Sequence, residues 1–286
     1  MTAIVCQHQV VWSFLDQSLT PDEPPLLNPP PIPAMLSPYQ AALQDALVMR
    51  SLAHQYGYGD NLPPELALAG IVRHIDDLPG ECDRDKYLLF LLAASTAPAG
   101  DLVEIGSLWG RSAYLLAWLA NYYDLGNLLC IDPWSVQAAV QHSLNDQLVK
   151  LSSSTHDISA GFQVFCQNML AGGFNNSNYL RMLSNEAVCS YRDKNTVETC
   201  EFGLTRYEGS ISILHIDGNH DLDVVRQDVA DWCPLVKPGG WIIIDDYTWK
   251  FGDGPRMTGD EFVKENAANI ACSFVMGGAL AIRMAR

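Results

Sequence analysis

The sequence predicts an α/β protein wound on both faces of a mostly parallel sheet, and three observations carry that expectation. Short, mainly apolar runs at 102–105, 128–131, 211–216 and 241–244 alternate with amphipathic stretches. Runs of this kind are strands buried on both faces, as a parallel sheet requires. Each run carries an acid near or just past its end: Glu104, Asp132, Asp217 and the Asp245–Asp246 pair. The first run is followed by the glycine-punctuated turn Gly106-Ser107-Leu108-Trp109-Gly110-Arg111-Ser112 and an amphipathic stretch over 113–123. Such a strand–turn–helix unit presents backbone N–H groups to a ligand at the strand's C-terminal end.

Composition narrows the function classes. The 286 residues are 48% hydrophobic, and 33 acidic side chains against 17 basic ones give a formal charge of −16. That apolar fraction buries a core, and the length suits one large α/β domain with an N-terminal appendage. An acidic surface without a Lys/Arg cluster repels phosphate backbones, which excludes nucleic acid as a partner. Eight cysteines lie scattered with no CxxC or finger spacing, the pattern of free thiols in a reducing compartment. The N-terminus lacks the basic and long apolar regions of a secretory signal, and no apolar run is long enough to span a bilayer. The expectation is a soluble cytoplasmic protein.

In chain order, residues 1–36 form a proline-rich arm that cannot be a regular helix or inner strand. Ser37-Pro38 caps and opens a helix running to about residue 54. Pro63-Pro64-Glu65 opens a second to about 77, and 83–95 reads as a third, apolar one. A boundary near residue 80 separates a helical cap, 37–80, from a core domain, 81–286. Within the core, 136–151 reads as helical, 152–155 as a joint and 156–170 as another helix. A third strand is expected at 179–183, and 185–209 reads as a helix with irregular loops. A helix over 222–235 follows the fourth strand, and Lys237-Pro238-Gly239-Gly240 is a turn into the fifth. A loop at 251–259, a helix at 260–268 and a β-hairpin at 270–284 around Gly277-Gly278 close the chain.

In a parallel sheet the C-terminal strand ends share one edge, so five carboxylates meet there. They repel one another unless a cation or a donor-rich ligand satisfies them. Asp132 stands where nucleotide-binding α/β proteins place an acid for ribose hydroxyls. Leu108 occupies the middle-glycine position of the dinucleotide fingerprint, which favours a ligand with ribose and no pyrophosphate.

Glu104-Ile105-Gly106-Ser107-Leu108-Trp109-Gly110 resembles motif I of the class I S-adenosylmethionine-dependent methyltransferases. Lys237 to Asp245 looks like their turn into strand five. His215-Ile216-Asp217-Gly218-Asn219-His220, with Ile244-Asp245-Asp246-Tyr247, is similar to the metal-dependent small-molecule O-methyltransferases that tailor macrolide, aminocoumarin and cephamycin natural products. The resemblance covers residues 85–284 and implies a Rossmann-like, seven-stranded, mostly parallel sheet with an antiparallel C-terminal hairpin. It implies a cofactor site in which Glu104 faces the methionine amino group and Asp132 holds the ribose. Gly106, Ser107, Gly110 and Ser112 would border the cofactor, and Asn185 and Glu186, after Ser184, would lie near the adenine. It also implies Mg²⁺ on Asp217, Asp245 and Asp246, with Asp217 and His220 catalytic. Asn219 departs from the family, in which many members carry Asp.

The chemistry suits these residue types. A sulfonium donor is already activated, so the protein mainly aligns acceptor, methyl and sulfur. A hard cation on carboxylate oxygens makes a hydroxyl more acidic, and a neutral imidazole takes its proton near neutral pH. The implied acceptor is a small hydroxylated molecule, with self-association through the N-terminal segment as a further expectation. Two alternatives stay open: a methyltransferase that works without a metal, and a non-catalytic scaffold. His215, inside an apolar strand, reads as a satisfied core histidine, and Arg111 as a salt-bridging residue.

Overall fold

Two-residue alternation along the apolar runs decides the layers. The computed structural model describes residues 36–57, 61–142 and 158–286. Its elements begin with helices α1 (Ser37–Gln55), α2 (Glu65–Asp76) and α3 (Arg84–Thr96). Strand β1 (Asp101–Ile105), α4 (Arg111–Tyr123), β2 (Leu128–Ile131), α5 (Ile158–Ala171) and β3 (Ser177–Leu180) follow. Next come α6 (Ser184–Lys194), the strands β4 (Thr196–Thr199) and β5 (Gly203–Arg206), then β6 (Ile211–Ile216) and α7 (Leu222–Trp232). The chain closes with β7 (Val236–Ile244), α8 (Gly254–Glu265), β8 (Ile270–Met276) and β9 (Ala279–Met284).

Along β1, Leu102 points to one side of the sheet and Val103 and Ile105 to the other, and β7 splits Trp241 and Ile243 from Ile242 and Ile244 in the same way. One face packs against α1 to α5, so the N-terminal helices share a core with the sheet. The other packs against α6 and α7, with α8 at its margin. Residues Pro38–Arg286 form one unit.

The sheet has seven strands in the order β3-β2-β1-β6-β7-β9-β8. β1, β2, β3, β6 and β7 pair in parallel, and β9 runs antiparallel to both its neighbours. The expected Rossmann-like architecture and its C-terminal hairpin are therefore present. Between β1 and β6 the order in which strands join the sheet reverses, and open α/β sheets hold their ligands at such a point.

Several expectations change. Residues 136–142 form a turn, not the start of a helix, and the rest of that stretch to 155 lies outside the described residues, as do residues 1–35. The third strand begins two residues early, at Ser177, because Asn178 inside it is buried and satisfied. Its amide donates to the Val197 and Gly203 carbonyls at 3.1 and 2.9 Å. Those bonds hold the β4–β5 hairpin in what had read as irregular loop; a polar exterior hid its alternation. Lys237-Pro238-Gly239-Gly240 is a bulge within β7: Ile211 pairs with Val236 and Ile213 with Trp241. The last helix starts at Gly254 because Pro255 sits at its first turn, where a proline is tolerated.

Candidate active site

Strand register places the first group of functional side chains. Glu104 pairs with His215 across β1 and β6, and His215 with Ile243 across β6 and β7. Their side chains point to the face covered by α3, joined beyond Ile243 by Asp245. His215 Nδ1 lies 3.1 Å from Glu104 Oε1 and its Nε2 3.2 Å from Asp245 Oδ2. Lys86, on the first turn of α3, donates to that same Asp245 oxygen at 2.7 Å. The Asp83 carboxylate caps this helix by accepting the Lys86 N–H at 2.9 Å, which fixes where the lysine starts.

Burial opposes charge on each of these groups, and their contacts override it. Hydrogen bonds to Asp245 and Glu104 push the His215 imidazole up to about 10 despite burial. Lys86 is likewise raised, its desolvation outweighed by Asp217 and Asp245. Asp245, although buried, is held well below the usual carboxylate range by His215 and Lys86. Two acids and two bases thus balance within the core. His215 is the satisfied core histidine expected, and it also links the β1 acid to the β7 acid.

In front of this network the strand ends open into a cleft of about 420 Å³. Gly106, Ser107, Ser112, Asp132, Asp217, His220 and Asp246 line it, together with Lys86, Gln141, Ser184, Asp228 and Trp249. Gly106 has φ +85°, and a Cβ there would sit 1.9 Å from the Asp217 carbonyl oxygen, so only glycine lets the β1 and β6 ends meet. Asp132 accepts the N–H groups of Ser107 and Leu108 at 3.1 and 2.9 Å on one oxygen and that of Trp134 at 2.6 Å on the other. Burial raises its carboxyl against those three donors. The Trp134 indole donates back to the Leu108 carbonyl at 2.6 Å. These bonds explain how Leu108 and Trp134 hold φ of +41° and +44°. Asp246 is at +53°, so two non-glycine residues of the cleft wall, Leu108 and Asp246, are left-handed, the kind of backbone that collects at functional sites.

At the far end, Asp217 keeps a quarter of its side-chain surface open. Its desolvated position and the neighbouring Asp245 push its carboxyl well above the usual range. His220 Nε2 lies 3.0 Å from Asp246 Oδ2 and its Nδ1 3.2 Å from the Gln141 amide. The Trp249 ring packs edge-on against the imidazole at 4.7 Å. The Asn219 amide donates to the Ala138 and Val140 carbonyls at 3.1 and 2.9 Å. A carboxylate could make neither bond, which is why Asn stands at this position and clamps the 138–142 segment over the cleft.

Among the described residues two groups bring candidate ligand atoms within 4.8 Å of one another: His215, Asp217 and Asp245, and Asp217, His220 and Asp246. The expected trio of Asp217, Asp245 and Asp246 is not such a group. Asp245 is already engaged by Lys86, His215 and the Asp246 N–H. The second group fits a divalent cation: it is part-exposed and sets two carboxylates beside an imidazole.

The other expected residues are placed as follows. Glu104 is fully buried behind the cleft, accepting the Ser107 hydroxyl at 2.7 Å as well as His215. Gly110, with φ +86°, caps α4 from beneath the turn. Asn185 and Glu186 are exposed on the first turn of α6 and do not line the cleft, whereas Leu183 and Ser184 do. Arg111 is a tether: it donates to the Tyr87 hydroxyl and the Gly80 carbonyl at 2.9 and 2.8 Å. Sequence reasoning missed Lys86, Gln141 and Asp228. Glu104 and His215 occupy matching positions in adjacent strands, a parity that signals a buried charged face; Gln141 left no such signal.

Among the described residues no helix is long and apolar enough to cross a membrane. A family model whose description is methyltransferase domain matches residues 103–247, half of the chain. The structure is similar to that of the O-methyltransferase NovP, with a TM-score of 0.53 at 14% identity over 86% of this chain and 100% of that one. A second similar structure is the O-methyltransferase TomG from Streptomyces achromogenes, involved in tomaymycin synthesis, with a TM-score of 0.45 at 12% identity over 98% and 99% of the two chains. At 14% identity the likeness to NovP speaks to the fold alone. No curated protein matches the sequence.

Proposed function

This chain belongs to the methyltransferase-domain family, and we propose that it is an S-adenosylmethionine-dependent, cation-assisted O-methyltransferase for a small hydroxylated molecule such as a secondary-metabolite intermediate. The observation that carries this reading is the meeting of Asp217, His220 and Asp246 at one end of a cleft whose other end is the Gly106–Ser112 turn. A volume of about 420 Å³ is in the range of small-molecule sites.

When bound, the sulfonium donor supplies an activated methyl group and a divalent cation supplies charge that makes the acceptor hydroxyl more acidic. Asp217 and Asp246 hold the cation, and the Asp132-stapled turn shapes the cofactor end. His220, whose Nε2 lies 3.0 Å from Asp246 Oδ2 and whose Nδ1 lies 3.2 Å from the Gln141 amide, is the imidazole placed to take the acceptor proton. General-base action of this kind contributes about 10²- to 10⁴-fold; alignment supplies the remainder.

The test is methyl transfer from labelled S-adenosylmethionine to a panel of hydroxylated small molecules, with EDTA, with Mg²⁺ restored, and with His220→Ala. Transfer that EDTA abolishes, Mg²⁺ restores and the variant loses supports the reading. A second reading, transfer without a metal, draws on Lys86 and His215, which already bring two cations to Asp245; transfer indifferent to EDTA would select it.

A further inference from the structure

A lysine is ordered and desolvated only at a cost, and Lys86 is held in place by three elements. The Asp83 cap fixes the start of its helix, and the Glu81 carbonyl accepts from Nζ at 3.3 Å. The β8–β9 turn stands behind it: a Cβ on Gly277, at φ +58°, would lie 2.7 Å from the Lys86 amide nitrogen and 2.8 Å from its Cγ. That turn is tied to the loop after β7, where the Gly278 carbonyl accepts the Thr248 N–H at 3.1 Å. So confined, Lys86 lines the same cleft as Asp217, His220 and Asp246. Burial opposes its charge, and Asp217 and then Asp245 restore it. Both oxygens of Asp245 are engaged, Oδ2 by Lys86 and His215 and Oδ1 by the Asp246 N–H at 2.7 Å. Yet Asp245, Asp217 and His215 bring ligand atoms within 4.8 Å of one another. Partnership, not distance, withholds this acid from an ion.

We propose that Lys86 is a tethered counter-cation that keeps Asp245 out of the cation site and so lowers the affinity of that site. The inference rests on the cation reading above and concerns what sets the strength of binding. An oxygen site holds a hard cation more tightly as its charged ligands increase in number. The ammonium acts against this twice, by taking a lone pair of Asp245 and by repelling a divalent ion from the neighbouring carboxylates. Lys86 thus acts through Asp245 as a positioning residue. It comes from α3, ahead of the residues 103–247 that the family model matches, so the N-terminal helices help to set the property of a site built on the sheet.

The experiment is titration of Mn²⁺, read by the electron paramagnetic resonance of the free ion, without cofactor or acceptor. It compares wild type with Lys86→Met, Lys86→Arg and Lys86→Met/Asp245→Asn. Lys86→Met should bind Mn²⁺ about 10- to 100-fold more tightly, the scale on which residues behind the ligands change metal affinity. Lys86→Arg keeps the charge and should stay within about threefold of wild type. The double variant has no acid to release and should bind more weakly than Lys86→Met. A lysine serving only the fold would, when replaced, leave Mn²⁺ binding unchanged or weaker. Either result in a cooperatively melting Lys86→Met overturns the inference, as does a double variant as tight as Lys86→Met. Lys86→Gln, which keeps a donor for Asp245 and loses the charge, serves if the methionine variant does not fold, and should gain at least about threefold. Absence of Mn²⁺ binding in every one of these proteins overturns the cation reading and the inference with it.

Discussion

Replacing Lys86 with methionine keeps the length of the side chain and removes its charge. In the wild type the Lys86 side chain is 11% exposed and that of Asp245 1%, with 2.7 Å between nitrogen and oxygen. Without the lysine, Asp245 retains His215 at 3.2 Å and the Asp246 N–H at 2.7 Å. Removing one member of a buried ion pair typically costs about 3–5 kcal/mol. The surviving partners put Lys86→Met at the lower end, about 3 kcal/mol. Urea unfolding followed by tryptophan fluorescence reads this directly, since the chain has seven tryptophans. The Lys86→Met/Asp245→Asn double variant removes both charges and should recover at least half of the loss, giving a coupling of about 1.5 kcal/mol or more. A Lys86→Met variant within about 0.5 kcal/mol of wild type, or a coupling indistinguishable from zero, would refute a buried Lys86–Asp245 pair.

Three further outcomes are expected. Asn219→Asp loses both bonds to the Ala138 and Val140 carbonyls and sets a carboxylate against them; hydrogen exchange of residues 138–142 should accelerate at least tenfold, and unchanged protection counts against the clamp. Asp228→Asn should stabilise the protein above about pH 6. Folding raises this acid from 3.8 to about 6, so the folded chain binds the proton more tightly than the unfolded one. The resulting penalty is absent below about pH 4, grows through pH 6 and reaches about 3 kcal/mol above it. Thermal melts of wild type and variant at pH 5 and 8 check the sign, and a difference that does not widen at pH 8 contradicts it. Gly106→Ala, with a Cβ that would meet the Asp217 carbonyl oxygen at 1.9 Å, should lose cofactor binding or fail to fold; near-wild-type affinity would show that the turn gives way.

The fold was legible because apolar runs, glycine turns and strand-end acids repeat in one order, and the strands at 128–131 and 211–216 and the closing hairpin fall where periodicity puts them. The β4–β5 hairpin was not, because its strands are polar outside and its anchor, Asn178, works through side-chain bonds that no period records. At the site, Asp132, Asp217, His220 and Asp246 line the cleft. What position alone could not show is partnership. Lys86 reaches Asp245 across 159 residues, and this contact sets Asp245 apart from the two acids that face the cleft. The role of Asn219 was equally hidden, since it depends on two carbonyls that the chain folds over it.

The central claim is a cofactor site at the Gly106–Ser112 turn, and calorimetric titration of S-adenosylhomocysteine into the wild type and Asp132→Ala tests it most directly. Asp132 holds three backbone N–H groups of the loops that shape the site. Micromolar binding by the wild type, weakened at least tenfold in a variant that still melts cooperatively, is the predicted result. A folded wild type, free of co-purified cofactor, that shows no heat of binding would contradict the account.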